Sequence, residues 1–241
     1  MYLKIAQGNG LVKRSQLLGF TVVLLLLAVA AGCKSATTVV ANAQFRAMNA
    51  SVEQPSLTVL LSSTTLAASL AYPTATPYTA ETPGGHTLHI EPAGTTTSLI
   101  NQPLVFQPGT FYTVIAAQSA FASTTLTPIL LTDDNTPPSN GQMELRIVNA
   151  SPDLGNVDVY VVSPGKGVQN ASPTVSNMAF TAASGYQPLA PGSYELYFTA
   201  AGQKTILIDS GPVTFAAGQI RTLVALDKTG GFATSTLADL H

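Results

Sequence analysis

The stretches FRAMNAS at residues 45–51 and LRIVNAS at residues 145–151 decide how this chain is read. Each runs from an apolar residue through arginine and a mixed pair to Asn-Ala-Ser, one hundred positions apart. The echo continues downstream. SLTVLL (56–61) falls over NVDVYV (156–161) at the same offset, and PYTAETPGGHTLHIEPAG (77–94) over GYQPLAPGSYELYFTAAG (185–202) at 108. LVFQPGTFYTVIAA (104–117) matches VTFAAGQIRTLVAL (213–226) at 109, and LLTDD (130–134) echoes TLADL (236–240). An offset that drifts only between matched segments places the insertions in loops. Two tandem copies of one domain, each about 90 residues, account for the pattern.

Within each copy the period is two. Leu145 and Ile147 alternate with Arg146 and Val148, and Val157, Val159 and Val161 alternate with Asp158 and Tyr160. Tyr194, Leu196 and Phe198 alternate with Glu195 and Tyr197. Short runs of this kind, separated by Pro, Gly and Asn, predict an all-β fold of two tandem immunoglobulin-like (Greek-key) sandwiches. Pro-Gly at 83–84, 108–109 and 191–192, and Ala-Gly at 217–218, suit tight turns with glycine at positive φ. The expected organisation is a signal peptide over 1–32, a lipidated Cys33 and tether over 33–42, and a first, degenerate sandwich over 43–132. A Pro-rich linker over 133–142 and a second sandwich over 143–241 follow. Copies of this size lead one to expect a small interface and free relative motion.

The leader carries the sharpest local signal. Lys4, Lys13 and Arg14 precede the apolar run LLGFTVVLLLLAVAAG (17–32), which ends at Cys33, the one cysteine in the chain. A basic start, an apolar stretch and small residues before a cleavage point describe a bacterial export signal. The run is short against the ~20 residues a spanning helix needs. Ala30-Ala31-Gly32-Cys33 resembles the bacterial lipobox, departing from it in carrying Ala30 where such boxes usually have Leu. The resemblance implies lipidation of Cys33 and attachment to a membrane, the outer one in a Gram-negative cell, where Lys34 lacks the acidic retention character. A thiol without an intramolecular partner fits this, since export leads to an oxidising compartment.

Charged residues make up 9% of the chain, well below the ~25% common in soluble domains. Three of the ten basic residues lie in the leader, so from residue 33 onward seven face twelve acidic ones, a balance of −5. No basic stripe is present, which argues against nucleic acid as a partner.

The candidate chemistry is thin. Asn-Ala-Ser at Asn49, Asn149 and Asn170 is formally a glycosylation sequon, but Asn49, Ser51, Asn149, Ser151 and Asp153 read better as a turn that closes the first strand of each copy. Arg146 is expected to pair with Asp153 or Asp158, and Arg46 with Glu53. His86 and His89 stand three apart on a strand and point to opposite faces, so they do not share a metal. Asp133, Asp134 and Asn135 supply oxygen ligands at the domain junction where calcium could sit, against the simpler reading of a solvated linker. Tyr160 and Tyr197 lie on the strand face opposite the core set and form a candidate sugar-stacking face, against simple cross-strand packing. Neither a Gly-x-Ser-x-Gly elbow nor a paired-carboxylate motif is visible, and no cofactor is implied.

The second copy resembles the bacterial domain-of-unknown-function family numbered 4397. The resemblance rests on Arg146, Asn149, Ala150, Ser151, Pro152 and Asp153, followed by Val157, Asp158, Val159 and Tyr160. The first copy keeps Arg46, Asn49, Ala50 and Ser51 but has Val52-Glu53 in place of Pro-Asp. This implies exported or surface-tethered β-sandwich modules without an established enzymatic activity. The expectation is therefore a non-enzymatic, lipid-anchored envelope protein acting as a structural, adhesive or ligand-binding module, with an envelope protein or glycan as partner. A polysaccharide-binding accessory lipoprotein is the alternative, and a cryptic hydrolase a lower one.

Overall fold

The computed structural model describes residues 40–120, 125–139 and 141–240. The leader, Cys33, most of the tether and His241 lie outside the described residues. Among the described residues the first copy contains β1 (Ala43–Ala50), β2 (Ser56–Leu61), β3 (Thr64–Ala71), β4 (Thr79–Glu81), β5 (Gly84–Pro92), β6 (Ile100–Phe106), β7 (Phe111–Gln118) and β8 (Leu126–Asp133). The second contains β9 (Met143–Asn149), β10 (Val157–Val162), β11 (Val175–Met178), β12 (Gln187–Leu189), β13 (Gly192–Ala200), β14 (Ile206–Phe215), β15 (Ile220–Lys228) and β16 (Gly231–Leu240). The tandem all-β sandwich is the architecture found.

Each copy is built from two four-stranded sheets, ordered β4-β1-β7-β8 and β3-β2-β5-β6 in the first and β12-β9-β15-β16 and β11-β10-β13-β14 in the second. The plan repeats strand for strand. In both, the first strand runs parallel to the seventh: Arg46 lies beside Thr113, and Arg146 beside Thr222. The tight turns behave as their composition requires, with Gly109 at φ 67° and Gly218 at φ 79°, a region closed to most side chains.

Alternation along each strand fills one core per sandwich. Phe45, Leu57, Val59, Leu88, Ile90 and Phe106 pack together in the first, and Leu145, Ile147, Val157, Leu196, Phe198 and Leu223 in the second. The intervening residues on the β1, β7, β9 and β15 strands are buried as well. Met48, Ile115, Ile129 and Leu131 of the first copy join Val148, Val224, Leu226 and Leu237 of the second in a third apolar cluster. The sheet containing β1 therefore faces the sheet containing β9, and both are covered on their two sides.

Copy size leads one to expect a small interface, and the two inner sheets instead share a buried apolar cluster. The physical reason lies in runs such as Leu223-Val224-Ala225-Leu226, apolar on consecutive positions and buried throughout. A strand covered on both faces reads as such a run, whereas one with a wet face alternates. Tyr72 adds a polar tie, donating its hydroxyl to the Asp227 carbonyl of the other copy at 2.5 Å.

Candidate functional site

Each arginine stands in the middle of an inner strand, finds one threonine partner in its own sandwich, and sends its Nη groups across the interface. Arg46 donates Nε to Thr113 Oγ1 at 2.7 Å and Nη1 to the Ala238 carbonyl at 2.6 Å, and its Nη2 pairs with Asp239. Arg146 mirrors this: Nε to Thr222 Oγ1 at 2.9 Å, Nη1 to the Thr132 carbonyl at 3.1 Å, and Nη2 paired with Asp133. The two halves meet at Arg146 Nη2 and Asp239 Oδ2, 3.7 Å apart. Each aspartate also serves its own copy. Asp133 accepts from Tyr78 at 2.7 Å and Thr113 at 2.5 Å, and Asp239 from Tyr186 at 2.8 Å and Thr222 at 2.6 Å. Each guanidinium lies over a tyrosine ring, Arg46 on Tyr78 at 4.4 Å and Arg146 on Tyr186 at 4.6 Å.

The result is a buried, charge-balanced cluster with approximate two-fold symmetry. Burial, and then the adjacent Asp133, push the Tyr78 hydroxyl well above its ordinary pKa, and burial with Asp239 does the same to Tyr186. Both phenols stay protonated and donate. Four charges taken from water are stable only when geometry and hydrogen bonding are this complete. The expected pairings of Arg146 with Asp153 or Asp158, and of Arg46 with Glu53, are not made. Asp153 is exposed, and Asp158 is used by the Asn177 and Gly202 amides at 2.8 Å each. Glu53 accepts from Gln118 Nε2 at 3.1 Å. A signal for the true partners was present in the repeat alignment, which sets Tyr78 over Tyr186 and Thr113 over Thr222. The segment LLTDD over TLADL likewise sets Asp133 over Asp239.

The Asn-Ala-Ser motif is structural. Asn49 and Asn149 are fully buried, and each receives the amide of Ser51 or Ser151 on its side-chain oxygen, at 3.0 and 3.2 Å. Asn49 donates to the Gln54 and Leu70 carbonyls at 2.7 and 3.1 Å; Asn149 donates to those of Gly155 and Met178 at 2.9 and 3.3 Å. One side chain thus ties the strand exit to the following turn and to a strand of the facing sheet. Ser51 donates to Gln118, and Ser151 to Asp227. Burial raises the Asp227 carboxyl above the ordinary carboxylate range.

The calcium candidates separate. Asp133 is consumed in the ionic cluster, while Asp134 is exposed and caps the Thr136 amide at 2.9 Å; hydrogen bonding from the Thr136 hydroxyl, and then from that amide, lowers its pKa. Among the described residues no group of three or more His, Cys, Asp and Glu is placed to hold a metal. His86 stacks on Phe106 at 4.9 Å and shares a 2.7 Å hydrogen bond with the Thr82 carbonyl.

Tyr160 and Tyr197 do lie on the outer face, but they are covered and present no stacking surface. The cover is the connection from β10 to β11, residues 163–174, which in the first copy is the two-residue turn Ser62-Ser63 between β2 and β3. Val168 is buried in one apolar cluster with the two tyrosines. Lys204 lies 4.5 Å over the Tyr160 ring and donates to the Val168 and Ala171 carbonyls at 2.8 and 2.6 Å. The Gly165 amide and the Tyr197 hydroxyl both donate to Glu195, at 2.8 and 2.5 Å. That bond raises the Tyr197 hydroxyl to about 12 and holds the Glu195 carboxyl low. Beside the connection lies a cleft of about 540 Å³, bordered by Val161, Ser163, Lys166, Asn170, Ala171 and Tyr194.

Several solved structures are similar to this chain. The C-terminal domain of AlgF from P. aeruginosa is 19% identical, with 41% of this chain and 99% of that chain covered and a TM-score of 0.31. A family CBM26 module of Eubacterium rectale Amy13K, solved with maltoheptaose, is 10% identical over 81% of this chain and 96% of its own, at 0.28. A structure described as alpha-glucan binding by a streptococcal virulence factor is 9% identical over 80% and 97%, at 0.26. No curated protein has a matching sequence. The family model described as Domain of unknown function (DUF4397) matches residues 43–160 and 167–241.

Proposed function

Given that the chain belongs to the DUF4397 family, we propose that it is a non-enzymatic binding module held at the cell envelope by a lipid on Cys33. The observation that carries this reading is the interface between the copies. An apolar sheet-to-sheet contact with a satisfied ionic cluster at its side makes the two sandwiches one stiff body. Its arginines and aspartates are saturated by each other and by hydroxyls, which is the behaviour of structural charges. A stiff body on a short tether, with β1 starting ten residues after Cys33, suits a part that holds an outer surface away from a membrane.

Palmitate labelling in the native host tests the anchor. Label and globomycin sensitivity are expected in the wild type and lost in Cys33→Ala. Unaltered processing of that variant sinks the lipid anchor. Incubating the purified mature chain with ester and glycoside panels tests the rest, and turnover overturns the non-enzymatic reading. A polysaccharide as the bound partner is favoured by one specific feature, the cleft beside residues 163–174.

A further inference from the structure

The family match breaks at residues 161–166, where the second copy departs from the first. The 12-residue connection from β10 to β11 replaces a two-residue turn, and the net excess is the eight-residue step in repeat offset from 100 to 108. An added loop that merely bridged two strands would be free to move. This one is pinned from beneath by Lys204 and Val168, and at its leading end by the Gly165 amide on Glu195. The Thr174 amide fixes its far end to the Val159 carbonyl at 2.7 Å. Pinning in advance removes an ordering cost that binding would otherwise bear.

The pinned loop and the end of β10 border the 540 Å³ cleft, within the ~300–1,000 Å³ range of small-ligand sites. Its chemistry is mixed. Val161, Ala171 and the Tyr194 ring offer apolar surface, and Ser163 and Asn170 offer hydroxyl and amide groups. Lys166 is exposed and makes no ion pair among the described residues, in a mature chain whose balance is −5. An apolar patch that covers ring C–H groups, polar groups for ring hydroxyls and one unneutralised ammonium match a sugar ring bearing one negative charge. One ammonium without an Arg fork leaves a phosphate dianion half neutralised, so a carboxylate fits better.

We propose that this cleft binds a carboxylate-bearing saccharide, with Lys166 facing the carboxylate and Asn170 the hydroxyls. The proposal rests on the reading of the chain as a binding module and names its ligand class and site.

Titration of the mature chain with trigalacturonate, maltotriose and inorganic phosphate, followed calorimetrically and by amide chemical shifts, tests it. Trigalacturonate is expected to bind, to shift the Gly167 and Ala171 amides, and to weaken with added salt. Lys166→Ala is expected to lower its affinity about tenfold or more, Lys166→Arg to restore most of it, and Asn170→Ala to reduce it further. Both residues are exposed, so the variants fold. Equal affinity for maltotriose, untouched by Lys166→Ala, overturns the charge assignment. Phosphate that competes equally with trigalacturonate overturns the saccharide assignment, and absence of trigalacturonate binding overturns the site. Retention on washed envelope fragments separates the two levels. Wild-type retention unchanged by Lys166→Ala leaves the binding module standing and places its ligand elsewhere, whereas no wild-type retention and no saccharide binding overturns both.

Discussion

Replacing Asp239 by alanine is expected to be among the most damaging single changes in the molecule. Asp239 is 0% exposed, and its two oxygens serve Arg46, Tyr186 and Thr222. Truncation leaves a buried guanidinium nitrogen without its counter-charge and two buried hydroxyls without an acceptor. Breaking a buried pair from one side costs ~3–5 kcal/mol, and the stranded hydroxyls are part of that figure. Taking ~4 kcal/mol, and 2–4 °C per kcal/mol for a chain of this size, the melting temperature should fall by roughly 8–16 °C. Calorimetry of the chain from Lys34 onward reads this directly. Asp153→Ala is the control, because pairing of Arg146 within its own copy predicts an equal loss there. Pairing across the interface predicts less than about 0.5 kcal/mol at this exposed site. An Asp239→Ala cost below about 1.5 kcal/mol, or an equal cost for Asp153→Ala, refutes the reasoning. Converting the pair together, Arg46→Met with Asp239→Leu, should recover the part of the loss due to the stranded guanidinium, since an apolar replacement of a buried pair is often neutral, while Tyr186 and Thr222 still lack their acceptor.

Asn149→Ala removes three hydrogen bonds from a fully buried side chain and should cost about 2–4 kcal/mol in denaturant melts; a cost below about 1 kcal/mol would show the turn holds without it. Asp227→Asn bears on pH dependence. The folded state keeps the Asp227 proton to higher pH than the unfolded state does. Its contribution to stability therefore declines as pH rises from about 4 through the raised folded value, and stays lost above it. The variant, which imitates Gln118 of the first copy, should gain on the wild type at pH 7 and lose that advantage near pH 4; a difference independent of pH rejects this. Lys204→Met should release the connection over Tyr160, seen as faster hydrogen exchange at Val168 and Ala171 with the sandwich melt little changed. Unaltered exchange there would mean that Val168 packing alone holds the loop.

The sandwich was legible because its information is local. Val157, Val159 and Val161 announce a strand with an inner face, and Gly109 and Gly218 announce turns. The repeat supplied the domain plan. What local pattern hid was the second burial surface: Arg46 and Arg146 occupy positions that alternation assigns to solvent. A polar residue marks the outer face of a sheet only when nothing covers that face. The same rule misplaced Tyr160 and Tyr197, which are outward-facing but roofed by a loop. Partners such as Asp239, 193 positions from Arg46, become visible only when matching polar residues in the two copies are read as a set.

The exchange of an arginine for an aspartate in both directions is the grammar of a homodimer. Here the two halves belong to one chain, joined through residues 134–142. A short link gives each half an effective concentration of ~1 mM of the other, so an intrinsic dissociation constant of even ~10 µM keeps the pair closed about 99% of the time. Halves carried on one chain need not be identical. The inner sheets must stay complementary, and they match at Arg46 and Arg146, Thr113 and Thr222, Tyr78 and Tyr186, Asp133 and Asp239. Among the described residues, no strand of the outer sheets contributes to the apolar cluster shared between the copies. Only the second bears the loop of residues 163–174, so an addition on an outer sheet leaves the match between the inner sheets untouched.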